Sequence, residues 1–503
     1  MAALLKAAFL LGALARRLNL ASMRTALARL PGIVGLFLWA LLPTLAATAP
    51  RPNILVIITD DQRWDALGCL GNPLLKTPNL DRLVVEGARF ANAFVTTSLC
   101  SPSRASMMSG LYAHRHGVLN NFTEYPDSLP SYPKQLRASG YETAYFGKWH
   151  MGETNDVPRS GFDFWMSHRG QGRYFDNEWN INGRREFIKG YYTTVITEHA
   201  EQWLRAKHAK PFVMVLGHKA PHGGPIEPEP KYEHALDVLP VKKPANADAW
   251  RDGKPAWLAE SFPTWHGAGG PLYNIKDYDK FVRSYYGTLL SVDDGVGRLY
   301  AALKESGQLD NTVIIFTSDN GFVLGEHGRV DKRTMYEESI RVPLIVRYPP
   351  LIPKATVINE MVLNLDLAPS VIDLCGGKKL SGIDGQSWKP LLAGKTGGWR
   401  KSWLYFYNYE KEFPYTPNVR GVRAADWKYI HYPHGDGGPD RQRAELYNLA
   451  ADPLETHNLI NEPSAARKLA EMKQKFERLM RAHKAVPDHP PLDGGIINVL
   501  PKF

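Results

Sequence analysis

The acidic pair Asp60-Asp61 directly follows the apolar run Asn53-Ile54-Leu55-Val56-Ile57-Ile58 and Thr59. Adjacent carboxylates repel one another unless something neutralises them, and a divalent cation does so. Oxygen ligands alone suit Ca²⁺ or Mg²⁺ rather than zinc. A second pair, Asp319-Asn320, follows the run Val313-Ile314-Ile315-Phe316 and would complete the shell. Cys100 and Arg104 make another candidate set. Pro102 sits just inside a predicted helix start, which places Cys100 at a helix N-terminus, where peptide N–H groups favour an anion. Arg104 is four residues on and shares its face. Lys148 and His150 end a run from Tyr141 to Phe146, and His218 and His222 follow Phe212 to Leu216. A single base at a strand end is usually only solvated. His327 would either line a pocket or brace its own loop, and Lys219 reads as structural.

Apolar runs of this length suit strands buried on both faces. Helical stretches separate them. One is capped by Thr77-Pro78 and stops at Gly87, one runs from Pro133 to Ser139, and one from Thr193 to Lys207. The last places Val195, Ile196, Ala200, Trp203 and Leu204 on one stripe. Alternating strands and helices predict an α/β fold with a large, mostly parallel sheet flanked by helices. Ligands bind beyond the carboxyl ends of such strands, and all four polar clusters fall there. After about Gly385, short aromatic strands at 403–407, 419–424 and 427–432 precede a helix at about 464–483. A smaller antiparallel sheet with a packed helix is expected. The expected organisation is a catalytic domain at 50–385 and a C-terminal α+β subdomain at 386–503. The stretch Trp250 to Gly270 reads as a long surface loop near the site.

The chain has 503 residues, 44% hydrophobic and 22% charged, which excludes disordered, collagen-like and coiled-coil classes. Three cysteines cannot build a disulfide scaffold, and Cys69 and Cys375 read as buried packing residues. Of the net charge of +10, five charges lie in residues 1–49, which hold no acid. The remainder is too mildly basic to indicate a nucleic-acid partner. Arg24 and Arg29, the apolar segment Ile33–Leu42 and Ala47-Thr48-Ala49 read as a signal peptide cleaved near Ala49. Export to the periplasm or exterior is expected; an uncleaved anchor is the alternative. Asn121-Phe122-Thr123 is a glycosylation sequon that arises readily by chance.

Cys100-Ser101-Pro102-Ser103-Arg104 matches C-x-P-S-R, the formylglycine signature of type I sulfatases, and the chain resembles that family over most of its length. Arg51-Pro52-Asn53-Ile54 through Asp60-Asp61 is similar to the family's opening strand and metal ligands. Gly147-Lys148-Trp149-His150 and Ala220-Pro221-His222 are similar to its sulfate-contact motifs. Ser318-Asp319-Asn320-Gly321 matches the second ligand pair, and Asp331-Lys332-Arg333 holds the family's late lysine. Glu445-Leu446-Tyr447-Asn448-Leu449 with Asp452-Pro453 and Glu455 is similar to its C-terminal signature.

The resemblance implies an alkaline-phosphatase-like fold and one Ca²⁺ held by Asp60, Asp61, Asp319 and Asn320, also touching the modified Cys100. Cys100 would be converted to formylglycine by a formylglycine-generating or anaerobic sulfatase-maturating enzyme. One hydroxyl of the hydrated aldehyde would attack sulfur, and the other would let the adduct collapse without a second attack. Arg104 would hold the hydrate, and Lys148, His222 and Lys332 would clamp the sulfate. His150 would assist the collapse, and His222 or Lys332 would protonate the leaving oxygen.

Asp331 to Glu338, with Lys219-Ala220-Pro221-His222, is similar to N-acetylglucosamine-6-sulfatases and related bacterial glycan sulfatases. That implies a 6-O-sulfated amino sugar as substrate. The aromatic residues Phe164, Trp165, Tyr174 and Trp179, and those between Trp250 and Trp265, would suit sugar rings or would be core. Two rival functions stay open here: a phosphonate monoester hydrolase or phosphodiesterase of the same superfamily, and an inactive glycan-binding homologue. The sequence fixes no oligomeric state.

Overall fold

In the computed structural model, which describes residues 51–251, 253–271, 277–434 and 444–500, strand β1 (Asn53–Thr59) is buried along its whole length. It is apolar on both sides because both faces are covered. Leu55 and Ile57 enter one core; Ile54, Val56 and Ile58 enter the other. The proposed targeting segment lies outside the described residues.

The further strands are β2 (Ala88–Phe94), β3 (Glu142–Gly147), β4 (Phe164–Ser167), β5 (Phe175–Ile181), β6 (Arg184–Tyr191), β7 (Phe212–Gly217), β8 (Thr312–Ser318), β9 (Leu344–Arg347) and β10 (Thr356–Leu363). They form one sheet ordered β10-β2-β9-β8-β1-β7-β3-β4-β5-β6. The central four, β8, β1, β7 and β3, are mutually parallel neighbours. These are the four runs whose polar ends were singled out. β9 is antiparallel to both its neighbours, and β5 pairs antiparallel with β4 and β6.

Helices α1 (Pro78–Glu86), α2 (Cys100–Ser109), α3 (Tyr132–Ala138), α4 (Tyr192–Arg205), α5 (Tyr278–Glu305) and α6 (Leu367–Leu374) cover the sheet. Side chains of α1, α4 and α5 join one core, and those of α2, α3 and α6 the other. On α4, Val195, Ile196, Ala200 and Leu204 are buried, as their spacing implies.

Strands β11 (Ser402–Tyr407), β12 (Val419–Ala424), β13 (Trp427–His431) and β14 (Ala444–Asn448) make a second, antiparallel sheet. Helix α7 (Ala466–Ala482) buries Met472 and Met480 near it. Trp403 to Tyr407 share a core with Phe94, Leu99, Met335 and Tyr336, so the small sheet supports the chain that carries Lys332.

The stretch from Trp250 to Gly270 is not a surface loop. It holds a short helix, Ala256–Ser261, with Trp257 and Leu258 buried. Trp257 packs edge-on to Tyr432 and under the Arg329 guanidinium, so this tryptophan turns inward. Cys375 is buried, but Cys69 is exposed, and both are free thiols. Among the described residues, no helix is long and apolar enough to cross a membrane.

Candidate active site

Each central strand delivers its polar residues at its carboxyl end. Asp61 (φ 70°) and His150 (φ 44°) stand in the left-handed region, a costly conformation held by the surrounding fold. Gly147 (φ 95°) is required on two counts, since a Cβ there would come within 2.0 Å of Gly217 O where β3 and β7 end side by side.

Asp60, Asp61, Cys100 and Asp319 are buried and bring one ligand atom each within 4.8 Å of one another. Asn320 Nδ2 donates to Asp61 Oδ1 at 2.6 Å, which leaves Asn320 Oδ1 buried with no partner among the described residues. Burial pushes the Asp60 carboxyl up, but Lys148, His222, Lys332 and Arg104 together hold it well below the usual range. Burial and the Asp60 charge push Asp319 up to about 7, and burial also raises Asp61 despite Lys332. Three crowded carboxylates that resist joint ionisation, plus an orphaned amide oxygen, are the donor set of a hard divalent cation. The residues fit the metal that the sequence implies.

Cys100 begins α2, which is buried end to end. Its Sγ donates to Asp60 Oδ1 at 3.3 Å. Lys332 Nζ lies 3.0 Å from the sulfur and donates to Asp61 Oδ1 at 2.6 Å. Lys148 Nζ donates to Asp60 Oδ2 and lies 3.9 Å from the sulfur. Burial, and then the Asp60 charge, push the Cys100 thiol up, so it stays a neutral thiol and a poor nucleophile. Arg104 Nε donates to Asp319 Oδ2 at 2.8 Å and Nη1 to Lys148 O at 2.6 Å, while its buried Nη2 has no partner. Ser101 N donates to Asn121 Oδ1 at 3.1 Å, so the sequon asparagine is buried as a support for this turn.

His222 Nδ1 pairs with Gly223 O at 2.9 Å, which places the proton on Nδ1 and the lone pair on Nε2, 3.9 Å from Asp61. Burial, then Lys332, hold His222 well below the ordinary histidine range. His150 is likewise held low by burial and Lys148, and its Nε2 meets Glu153 Oε1 at 2.8 Å. His327 is not brought to the site. Its ring stacks on Tyr336 at 3.9 Å and faces Glu338 Oε2 at 3.7 Å, so it braces its loop. His218 is fully buried, with neither ring nitrogen paired.

The sequence reading missed several neighbours. Gln171 Oε1 accepts from Lys148 Nζ at 2.5 Å, and its flanking glycines, Gly170 and Gly172, were the available signal. A cavity of about 720 Å³ opens from Asp61, Lys332 and His222 and is also lined by Gln171, Lys219, Trp265, Arg333 and Phe413. Its aromatic walls are Phe122, Trp265, Phe322 and Phe413, whereas Trp165, Tyr174 and Trp179 are core.

The wall at Glu412-Phe413 belongs to the β11–β12 connection, which the C-terminal segment straps from outside. Asn418 N donates to Asp493 Oδ2 at 3.0 Å and Asn418 Nδ2 to Pro491 O at 2.8 Å. Ile497 N donates to Pro414 O at 2.9 Å, and Arg420 pairs with both oxygens of Asp488 at 2.8 and 3.1 Å.

Residues 52–377 match the sulfatase family, and residues 325–482 match the C-terminal region of N-sulphoglucosamine sulphohydrolase. An N-acetylglucosamine-6-O-sulfatase of Bacteroides thetaiotaomicron is 34% identical, over 86% of this chain and 87% of that protein. The Homo sapiens N-acetylglucosamine-6-sulfatase is 34% identical over 73% and 69% of the two chains. A solved structure of a protein in complex with its substrate D-glucosamine-2-N,6-O-disulfate superposes with a TM-score of 0.79. It is 31% identical and covers 87% of this chain and 99% of that one. The phosphonate monoester hydrolase of Agrobacterium radiobacter, at 22% identity and a TM-score of 0.71 over 90% and 100% of the chains, shares the fold. The family match over residues 52–377 and the relatives at 34% identity place this chain in the sulfatase family, as a sulfuric ester hydrolase.

Proposed function

We propose that the protein removes the 6-O-sulfate of a glucosamine unit in a sulfated glycan, with formylglycine made from Cys100 and one Ca²⁺. The observation that carries the reading is the position of Cys100 Sγ, 3.3 Å from Asp60 and 3.0 Å from Lys332, in an oxygen shell suited to a divalent cation. The glucosamine assignment is supported by what its relatives are named for.

Asp60, Asp61, Asp319 and Asn320 would hold the ion, which when bound supplies positive charge beside a sulfate oxygen. The aldehyde, when formed and hydrated, supplies two hydroxyls where a serine has one. The remaining work falls to side chains already in place. Arg104, fixed by Asp319 and the Lys148 carbonyl, keeps a buried Nη2 that would be free to donate to an oxygen at position 100. Lys148 and Lys332 exchange carboxylate partners for sulfate oxygens, whose charge shifts in the transition state. His222 must gain a proton on Nε2 before it can donate to the leaving oxygen, whereas Lys332 is already charged. Burial disfavours the Lys332 ammonium, but Asp61 foremost holds it well above the ordinary range. His150, oriented by Glu153 with Nδ1 left buried, would serve as the base in the collapse step.

Export after cleavage near Ala49 and activation by a maturation enzyme belong to the same proposal. The test is sulfate release from N-acetylglucosamine-6-sulfate by protein coexpressed with a formylglycine-generating enzyme, against glucosamine 3-O-sulfates and an aryl phosphonate. Turnover of the 6-sulfate is expected; preference for the phosphonate would overturn the reading.

A further inference from the structure

Five lysines are buried among the described residues: Lys148, Lys219, Lys254, Lys332 and Lys428. Four have carboxylate partners. Lys148 pairs with Asp60, Lys332 with Asp61 at 2.6 Å, Lys254 with Glu445 at 3.7 Å, and Lys428 with Glu455 at 2.6 Å. The Lys219 carbonyl accepts from His222 N at 2.8 Å, but its ammonium makes no hydrogen bond or ion pair among the described residues. Its Nζ lies 5.1 Å over the Tyr174 ring, and the residue is 5% exposed and lines the cavity beside Gln171, His222 and Lys332. Buried cations are ordinarily paired because desolvation is costly.

Glu153 and Glu412 also line this cavity, but at the oxygen shell itself the cations are in excess. Asp60, Asp61 and Asp319 are matched by Arg104, Lys148 and Lys332, so a divalent ion in the oxygen shell leaves the cluster with two positive charges in excess. One sulfate ester offsets only one of them, and Lys219 adds a further positive charge. Burial, and then Lys148, push the Lys219 ammonium down to about 8, a cost that an adjacent anion would relieve.

We propose that Lys219 binds a second oxyanion on the substrate, separate from the sulfate being removed. The inference rests on the glucosamine-6-sulfatase reading given above. The shared chemistry is an exposed oxyanion from either of two sources: an N-sulfate on the same sugar, or the carboxylate of a linked uronic acid.

The experiment compares kcat/KM for N-acetylglucosamine-6-sulfate, glucosamine-2-N,6-O-disulfate, and N-acetylglucosamine-6-sulfate linked to a uronic acid. The wild-type enzyme should prefer one doubly charged substrate by about tenfold, chiefly in KM, and the preferred one identifies the source. Lys219→Met should bring that ratio close to one, and Lys219→Arg should keep most of it. No wild-type preference would overturn the inference without needing any variant, as would an unchanged ratio in Lys219→Met. Turnover of an aryl sulfate but of none of the three sugars would instead overturn the glucosamine reading, and this inference with it.

Discussion

Lys332 Nζ stands between Asp61 Oδ1, at 2.6 Å, and Cys100 Sγ, at 3.0 Å. One ammonium thus touches both a carboxylate of the oxygen shell and the residue that is to become the nucleophile. It needs to move little to meet a sulfate oxygen between them.

Lys332→Met should therefore lower kcat/KM by at least about a hundredfold, the cost of removing one preorganised donor to developing charge. Metal affinity should not fall, because Asp61 loses a competitor for its lone pairs. Steady-state kinetics with calorimetric Ca²⁺ titration checks both; weaker metal binding would contradict the arrangement.

Asn320 Oδ1 is buried without a partner among the described residues, and its presence is explained by a cation. Ca²⁺ should raise the melting temperature of chelated wild-type protein. A hundredfold excess over Kd corresponds to about 2.7 kcal/mol. Asn320→Ala should shift that titration to at least about tenfold higher Ca²⁺, as expected for the loss of an oxygen ligand. A titration that does not shift would exclude Asn320 from the shell.

The C-terminal strap holds the wall at Phe413 through Asn418, Pro414 and Arg420. Deleting 488–503 should raise KM for a sulfated sugar at least about fivefold while changing kcat less, since the strap touches the wall and not the reacting atoms. An equal fall of kcat for an aryl sulfate would point to general unfolding.

His116 takes a hydrogen bond from Val118 N on Nδ1 at 3.1 Å, which requires a neutral ring, and burial pushes it down to about 3. The unfolded chain therefore binds a proton between about pH 6.5 and 3 that the folded chain does not. Stability contributed by neutral His116 is whole above that window and is lost as pH falls through it, by up to about 1.4 kcal/mol per pH unit. His116→Gln should flatten the decline of melting temperature between pH 6.5 and 4.5. An unchanged slope would contradict the assignment.

The sequence carries the site clearly where burial forces a pattern. β1, β3, β7 and β8 are covered on both faces, so they read as unbroken apolar runs whose polar ends stand out. β2 is only partly buried, with Arg89, Ala91 and Asn92 intermediate, and reads ARFANAF, which has no such run. Helix α5 was obscured by Gly287, Gly295 and Gly297, residues that weaken a helical reading. Gly295 is there for packing: a Cβ would lie 2.8 Å from Thr197 Oγ1, so the glycine lets α4 and α5 approach closely. Asp60, Asp61, Asp319 and Asn320 stand out by type and spacing, as does the place of Cys100 at a helix start with Arg104 on its face, whereas the role of Cys100 and the choice of Lys332, which follows a loop with no local signal, come only by resemblance. That the Lys219 ammonium has no partner among the described residues is likewise something a sequence does not show.

The central claim is that position 100 attacks sulfur and is then regenerated through a second hydroxyl. Cys100→Ser supplies an oxygen nucleophile with only one. After incubation with substrate, intact-mass and peptide analysis should find one added sulfate, about 80 Da, on the introduced serine, with at most one turnover. Cys100→Ala should gain nothing. Sustained multiple turnover by Cys100→Ser, with no added mass, would mean that water attacks sulfur directly and that the account is wrong.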